Sequence, residues 1–343
     1  MTSFLKSGRS QSVAIWLFAV AALVFAMVIL GGTTRLTGSG LSITHWEPIR
    51  GVIPPLSTQQ WAEEFAGYQR IPQYKFINHG MSLEAFKTLY WWEWAHRLLG
   101  RLVGVAFAVP FLVFLFMRKI PQGLVWRCWL LFALGALQGL VGWWMVASGL
   151  QDRVTVAPER LTVHLSLALV VFCLLVWTGL ESWNGQGRPA GRGRWPLFAS
   201  LLTGGVFLQI MLGGLVAGNQ AGLVYNDWPL MNGHILPQDY WQGGLWHSAL
   251  HSRGAVQLHH RIGAYLLFIA AWVAAVQARR TPWLPDGARG LAMLLALLVT
   301  VQASLGIATL RLGDPLAMAV VHQATAALVL ACAVAFAWRV RRT

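Results

Sequence analysis

Long apolar runs separated by short polar segments dominate this chain, and the pattern occurs eight times. A helix needs roughly 20 apolar residues to cross hydrocarbon, and runs of that kind fall near 13–33, 93–117, 128–148, 161–181, 197–217, 256–278, 290–310 and 317–338. The pattern predicts an all-α integral membrane protein with eight transmembrane helices. Its connections are of two kinds. Two long segments, 34–92 and 218–255, share one side with short ones near 149–160 and 311–316. The other side collects Lys6, Arg9, Arg118, Lys119, Arg127, Arg188, Arg192, Arg194, Arg279, Arg280, Arg289, Arg339, Arg341 and Arg342. Basic residues mark the cytoplasmic face, so both termini are expected there.

Composition agrees. Only 11% of the 343 residues are charged and 56% are hydrophobic, against about 25% charged in soluble domains. A net charge of +14 raises the question of a nucleic-acid partner, but the cations are scattered among loops, so none is expected. The 19 tryptophans cluster near span ends, as in an interfacial belt that contacts membrane lipid. Cys128, Cys173 and Cys332 fall within spans and read as small buried apolar residues. The first run, Val13 to Gly32, has no cleavage-type sequence after it and reads as a span rather than a signal peptide.

The eight spans are two sets of four. Gly31-Gly32, Gly40-Leu41, Trp46, Gly51 and Pro55 recur as Gly213-Gly214, Gly222-Leu223, Trp228, Gly233 and Pro237, always 182 residues on. Beyond the first long loop the offset shrinks to 164, pairing His96-Arg97 with His260-Arg261 and Gln138 with Gln302. His164 pairs with His322 at 158. An even number of spans per repeat makes the halves parallel. The expectation is two pseudo-symmetric four-helix bundles, 1–181 and 182–343. The extra length lies in the first outer loop. There Ser57 to Gln60 resembles a capping box opening a helix with Trp61, Phe65 and Tyr68 on one face and Glu63 and Glu64 on another. That helix either covers a site in the first half or lies on the bilayer.

Ionisable groups inside a span are a functional-site hypothesis by default, and Glu93-Trp94-Ala95-His96-Arg97 carries three. Four spans hold one histidine each, His96, His164, His260 and His322, all at similar shallow depth toward the long-loop side. Zinc needs more ligands per half than this, and hard cations need acidic clusters. Two imidazoles within one bundle suit the axial positions of a haem iron, so each half reads as a bis-histidine pocket. Arg97, Arg101 and Arg261 stand beside these positions and match anionic haem propionates. His259, next to His260, is the ambiguous neighbour. The halves diverge: Glu93 becomes Gln257, Arg35 becomes Ala217 and Arg101 becomes Tyr265. One pocket keeps a titratable group within a turn of its ligand, and the other has lost it.

Gly31-Gly-Thr-Thr-Arg-Leu-Thr-Gly-Ser-Gly-Leu-Ser42, Trp46-Glu-Pro48, Gly51-Val-Ile-Pro-Pro-Leu56, Trp61 and Glu93-x-x-His-Arg97 resemble the haem A synthase family, in its proteobacterial and mitochondrial branch, over almost the whole chain. The resemblance implies oxidation of the C8 methyl of haem O to a formyl group, giving haem A for terminal oxidases in the bacterial inner membrane. It implies a substrate haem between His96 and His164 with Arg97, and a resident haem b between His260 and His322 with Arg261. Glu93 matches the family's essential acidic residue. An electron-transfer partner, haem O synthase, oxidase assembly factors and a homo-oligomer are compatible company. Another branch carries cysteine pairs in its outer loops, and this chain has none, which argues against thiol chemistry there.

Two other readings compete. A dihaem electron-transfer cytochrome usually stacks its haems across the bilayer with two histidines on one helix, whereas here each helix has one. A transporter would place its binding groups at mid-bilayer, deeper than these histidines.

Overall fold

The computed structural model describes residues 8–185 and 193–342. Lys6, Arg188 and Arg192, counted among the basic loop residues, lie outside the described residues. Among the described residues eight helices are long and apolar enough to cross a membrane. They are α1 (Gln11–Leu36), α4 (Leu83–Phe116), α5 (Gln122–Ala147), α6 (Pro158–Asn184), α7 (Trp195–Gly218), α9 (Arg253–Arg279), α10 (Asp286–Arg311) and α11 (Leu316–Val340). Three shorter helices lie in the long loops: α2 (Thr58–Gln69), α3 (Pro72–Phe76) and α8 (Gly244–His251). No strand occurs among the described residues.

The start signals are local. Proline occupies the first turn of α6 and α7, where its missing N–H costs nothing and its φ is already helical. Ser82 and Ser252 accept from the backbone N–H of Ala85 and Ala255 and so cap α4 and α9. Ser57 and Gln60 form the anticipated capping box on α2.

As Ser82-Leu-Glu-Ala-Phe-Lys leads one to expect, one helix extends well before its apolar run. The helix bearing Glu93 begins at Leu83, about three turns before the apolar run, because Ser82 caps it and residues 83–92 have their own partner. Phe86 and Tyr90 on that extension are buried with Tyr68 and Ile71, and Trp61 and Phe65 pack on them. The Phe65 and Tyr68 rings stand 5.1 and 5.2 Å from Phe86. Helix α2 therefore rests on α4 and not on open bilayer.

Among the spans, α1 packs on α4, α6 and α11, while α7 packs on α9, α11 and α6. The two sets of four meet where α6 faces α7 and α1 faces α11. Their cores differ in kind. The first is aromatic, with Trp16, Phe107 and Phe111 in ring contact. The second is rich in alanine, including Ala271, Ala275, Ala288, Ala292 and Ala333. Helices in lipid gain little from hiding apolar surface, so close approach over small residues supplies the contact energy instead. Leu102, Val105 and Leu140 point outward, as surface for hydrocarbon. At the end with basic loops, buried Glu181 pairs with Arg127, accepts from Arg342 at 2.7 Å and accepts from the Trp177 indole. This ties the end of the chain to α5 and α6.

Phe86→Ala should empty the cluster under α2, at a local cost of about 3–5 kcal/mol. Hydrogen exchange is the measurement. Amides of α2 should exchange faster while those of α1 and α6 stay unchanged.

Candidate functional site

The long loops are tied to the spans by arginines one residue past two of the histidines. Arg97 donates to the carbonyls of Ile43 (2.8 Å) and His45 (3.0 Å). Arg261 donates to those of Tyr225 and Asp227, both at 3.0 Å. Tyr225 and Asp227 stand 182 residues after Ile43 and His45, so each half repeats the same staple. Asp227 adds a local knot by accepting from the backbone N–H of Asn232 and Gly233. Those donors hold its carboxyl below the usual carboxylate range.

Each arginine also meets the side chain four residues back, on the same helix face. In the first half Glu93, 3% exposed, accepts from Arg97 Nε (3.0 Å) and Nη2 (2.6 Å) through Oε1. Its Oε2 accepts from Ser42 Oγ (2.8 Å) and the Ile43 N–H (2.9 Å). In the second half Gln257 Oε1 accepts from Arg261 at 3.0 Å, while its Nε2 donates to the Ala221 carbonyl. The amide is therefore not a silent copy of the carboxylate. Two oxygens that both accept have become one acceptor and one donor, and the loop presents a carbonyl to match.

The four histidines sit at helix crossings where the partner helix has glycine. A Cβ added at Gly31 would come 3.0 Å from the ring of His96, and one at Gly142 2.9 Å from that of His164. Gly213 and Gly306 meet His260 and His322 at 3.2 and 2.9 Å. Any larger residue would push these rings away. Three of the rings have a glutamine at Nδ1: Gln138 at 3.2 Å from His164, Gln209 at 3.0 Å from His260 and Gln302 at 3.2 Å from His322. Each of these glutamines also has a buried Oε1 without a partner. His96 has no such support. The position matching Gln209 in the first half is Met27.

A cavity of about 490 Å³ opens between His96 and His164 and is lined also by Glu93, Arg97, Arg101 and Gln138. The second half contributes to its wall through Gly214, Ala217 and Gln323. Gln323, next in sequence to His322, donates to the Val28 carbonyl across the interface at 2.5 Å.

The structure brings together Glu93, His96, Arg97 and His164, and separately Arg261, His260 and His322. His259 turns away and meets the Tyr240 hydroxyl at 2.9 Å, so His260 is the residue facing the bundle. Arg97, Arg101 and Arg261, expected to face anionic groups of a ligand, direct donors to loop carbonyls, with Pro48 and Glu47 serving Arg101. Sequence reasoning passed over Ser42, Gln209 and Gln323. Gln138 and Gln302 were visible as a repeat pair, but their contact with the histidines was not. Glu64, placed on the outer face of α2, has a buried Oε2 without a partner, and burial raises its pKa above the usual range. Among the described residues no three His, Cys, Asp or Glu side chains gather as a bare-ion site.

Fold and site thus define a polytopic helical membrane protein organised around two pairs of inward-facing imidazoles. The family model described as cytochrome oxidase assembly protein (COX15-CtaA) matches residues 14–334. A protein of Caulobacter sp. (strain K31) named Heme A synthase is 59% identical over 342 residues, covering all of both chains. A Caulobacter vibrioides protein of the same name is 57% identical over the same span. A third, from Bradyrhizobium sp. (strain ORS 278), is 48% identical over 97% of this chain and 92% of its own. This chain belongs to the COX15-CtaA family.

Glu93→Ala should leave Arg97 without its counter-charge at a buried position, a change that costs about 3–5 kcal/mol. The amide of Ile43 reports it directly, because its acceptor is lost. Its exchange should accelerate well beyond that in Ser42→Ala, which removes only a second donor.

Proposed function

We propose that this chain is a haem A synthase, an oxidoreductase that converts haem O to haem A by oxidising the C8 methyl group to a formyl group. The observation that carries this is the end-to-end identity with relatives named Heme A synthase. The four histidines gathered in facing pairs support it.

The substrate belongs between His96 and His164. That pair alone borders the large cavity, and His96 lacks the glutamine support of the other three, as suits a ligand that must release its product. Metal-bound histidines are ordinarily fixed through their second nitrogen. The resident haem b belongs between His260 and His322. Gln209 and Gln302 steady both rings, and glycine leaves room for each ring at the helix crossing. Two neutral imidazoles without an acidic cluster fit such a group. When bound there, haem b supplies one-electron redox chemistry. Arg261 fixes the loop over that pocket.

Glu93 is the residue placed to hold or move a proton beside the substrate, since it lines the cavity one turn from His96. Arg97 orients it and keeps the carboxylate compensated. The outer-loop helices in this reading cover the pocket, and α3 reaches it through Gln73, which lines the cavity and donates to the Gly38 carbonyl. In this reading 1–181 and 182–343 are two bundles with separate tasks. The protein lies in the inner membrane with cytoplasmic termini, and its pockets open toward the periplasmic side. An electron partner must serve it.

His260→Ala or His322→Ala should abolish the bis-imidazole absorbance of the resident haem, while His259→Ala should leave it intact. The reverse pattern would overturn the assignment.

Glu93→Gln should keep the resident haem while haem O or a hydroxylated intermediate accumulates at the expense of haem A. The substitution is not neutral in hydrogen bonding, because one amide cannot serve both Arg97 and the Ile43 N–H. Ser42→Ala is therefore the control: it disturbs the same contact but keeps the charge. Extracted haems, separated by chromatography, should be normal in Ser42→Ala and deficient in haem A in Glu93→Gln. Wild-type haem A in Glu93→Gln would reduce Glu93 to the loop staple.

A further inference from the structure

Among the described residues that line the cavity, Arg35 is a cation that makes no hydrogen bond to the long loops. It lies in the last turn of α1 and lines the cavity. Its one hydrogen bond is from Nη1 to the Ala217 carbonyl at 3.0 Å. Among the described residues no carboxylate pairs with it, although Asp314 is near enough to act on it electrostatically. A planar guanidinium has five N–H donors in a fork that matches a carboxylate, so most of these are unused. Arg97 and Arg101 line the same cavity but direct donors at Glu93 and four loop carbonyls, with Arg101 Nη1 alone left buried and unpartnered.

Position adds to this. Gly31 receives the ring of His96, and Arg35 stands four residues on, the same face of α1 one turn nearer the loops. The second half has alanine at the matching place, Ala217, so the feature belongs to one pocket only. We infer that Arg35 binds a propionate carboxylate of the substrate macrocycle and sets its orientation between His96 and His164. This rests on the assignment of that pocket to haem O.

The test uses the full chain in detergent with its resident haem retained, titrated with haem O and with haem O dimethyl ester. Wild type should bind the diacid about tenfold more tightly than the diester, the scale of one charge-assisted contact. Arg35→Gln should lose that preference with diester affinity and resident-haem absorbance unchanged. Arg35→Lys keeps the charge without the fork and should show a reduced preference. If either variant kept the full wild-type preference, or wild type had none, the inference would be wrong. His164→Ala, run alongside, separates the two assignments. If it left the spectrum of added haem O unaltered, the pocket assignment itself would fail, whatever Arg35 does.

Discussion

A guanidinium at the end of an apolar span must find acceptors, and this requirement shapes both halves of the protein. Arg97 and Arg261 cannot lose their charge, and Arg261 is only 8% exposed. Each therefore draws a loop down over its histidine and holds it by main-chain carbonyls. The carbonyls gain too, since a buried C=O without a partner is costly. The same contact thus satisfies the cation, orders an otherwise irregular loop and closes the pocket from the aqueous side. Because the arginine is covalently next to the histidine, loop and imidazole share one rigid helix turn.

Duplication set this arrangement twice, and divergence made the copies unequal. The carboxylate beside Arg97 binds two loop donors, whereas the amide beside Arg261 binds one loop acceptor. The ion pair Glu93–Arg97 thus has, at the matching place of the second half, a hydrogen-bonded amide with no charge of its own. The supports under the histidines run the other way. His164, His260 and His322 each rest against a glutamine, while His96 has none and faces open volume. One pair is thus supported at both rings and the other at one.

Much of this was legible in the sequence because the governing patterns are one-dimensional. Span number follows from the length of apolar runs, and the histidine register follows from the offsets 182, 164 and 158. The repeat also marked Gln138 with Gln302. What escaped depends on partners distant in sequence and absent from the repeat. Gln209 matches Met27, so symmetry gave no hint that its amide would reach His260. Ser42 meets Glu93 across 51 positions, and no local signal distinguishes it from any loop serine. The start of α4 at Ser82 was legible as a cap, but the partner of residues 83–92 was not: they are amphipathic rather than apolar, and their buried face belongs to α2 rather than to the membrane.

The arginines carry the sharpest lesson about reading charge from sequence. Adjacency to a histidine suggested that Arg97, Arg101 and Arg261 address a ligand; the structure adds that each also holds a loop, while Arg101 Nη1 and Arg261 Nε stay buried without a partner. A long side chain at a span end reaches for the nearest acceptors, and the loops provide those in number. A residue kept free for a ligand is better recognised by what fails to satisfy it. Arg35 lies four residues beyond the glycine that receives His96 and has a single carbonyl, that of its own repeat counterpart Ala217. A carbonyl compensates dipole to charge, and Asp314 acts on the cation from a distance without pairing with it. A cation at the cavity wall constrains any occupant, because an anionic edge gains there what an uncharged edge cannot.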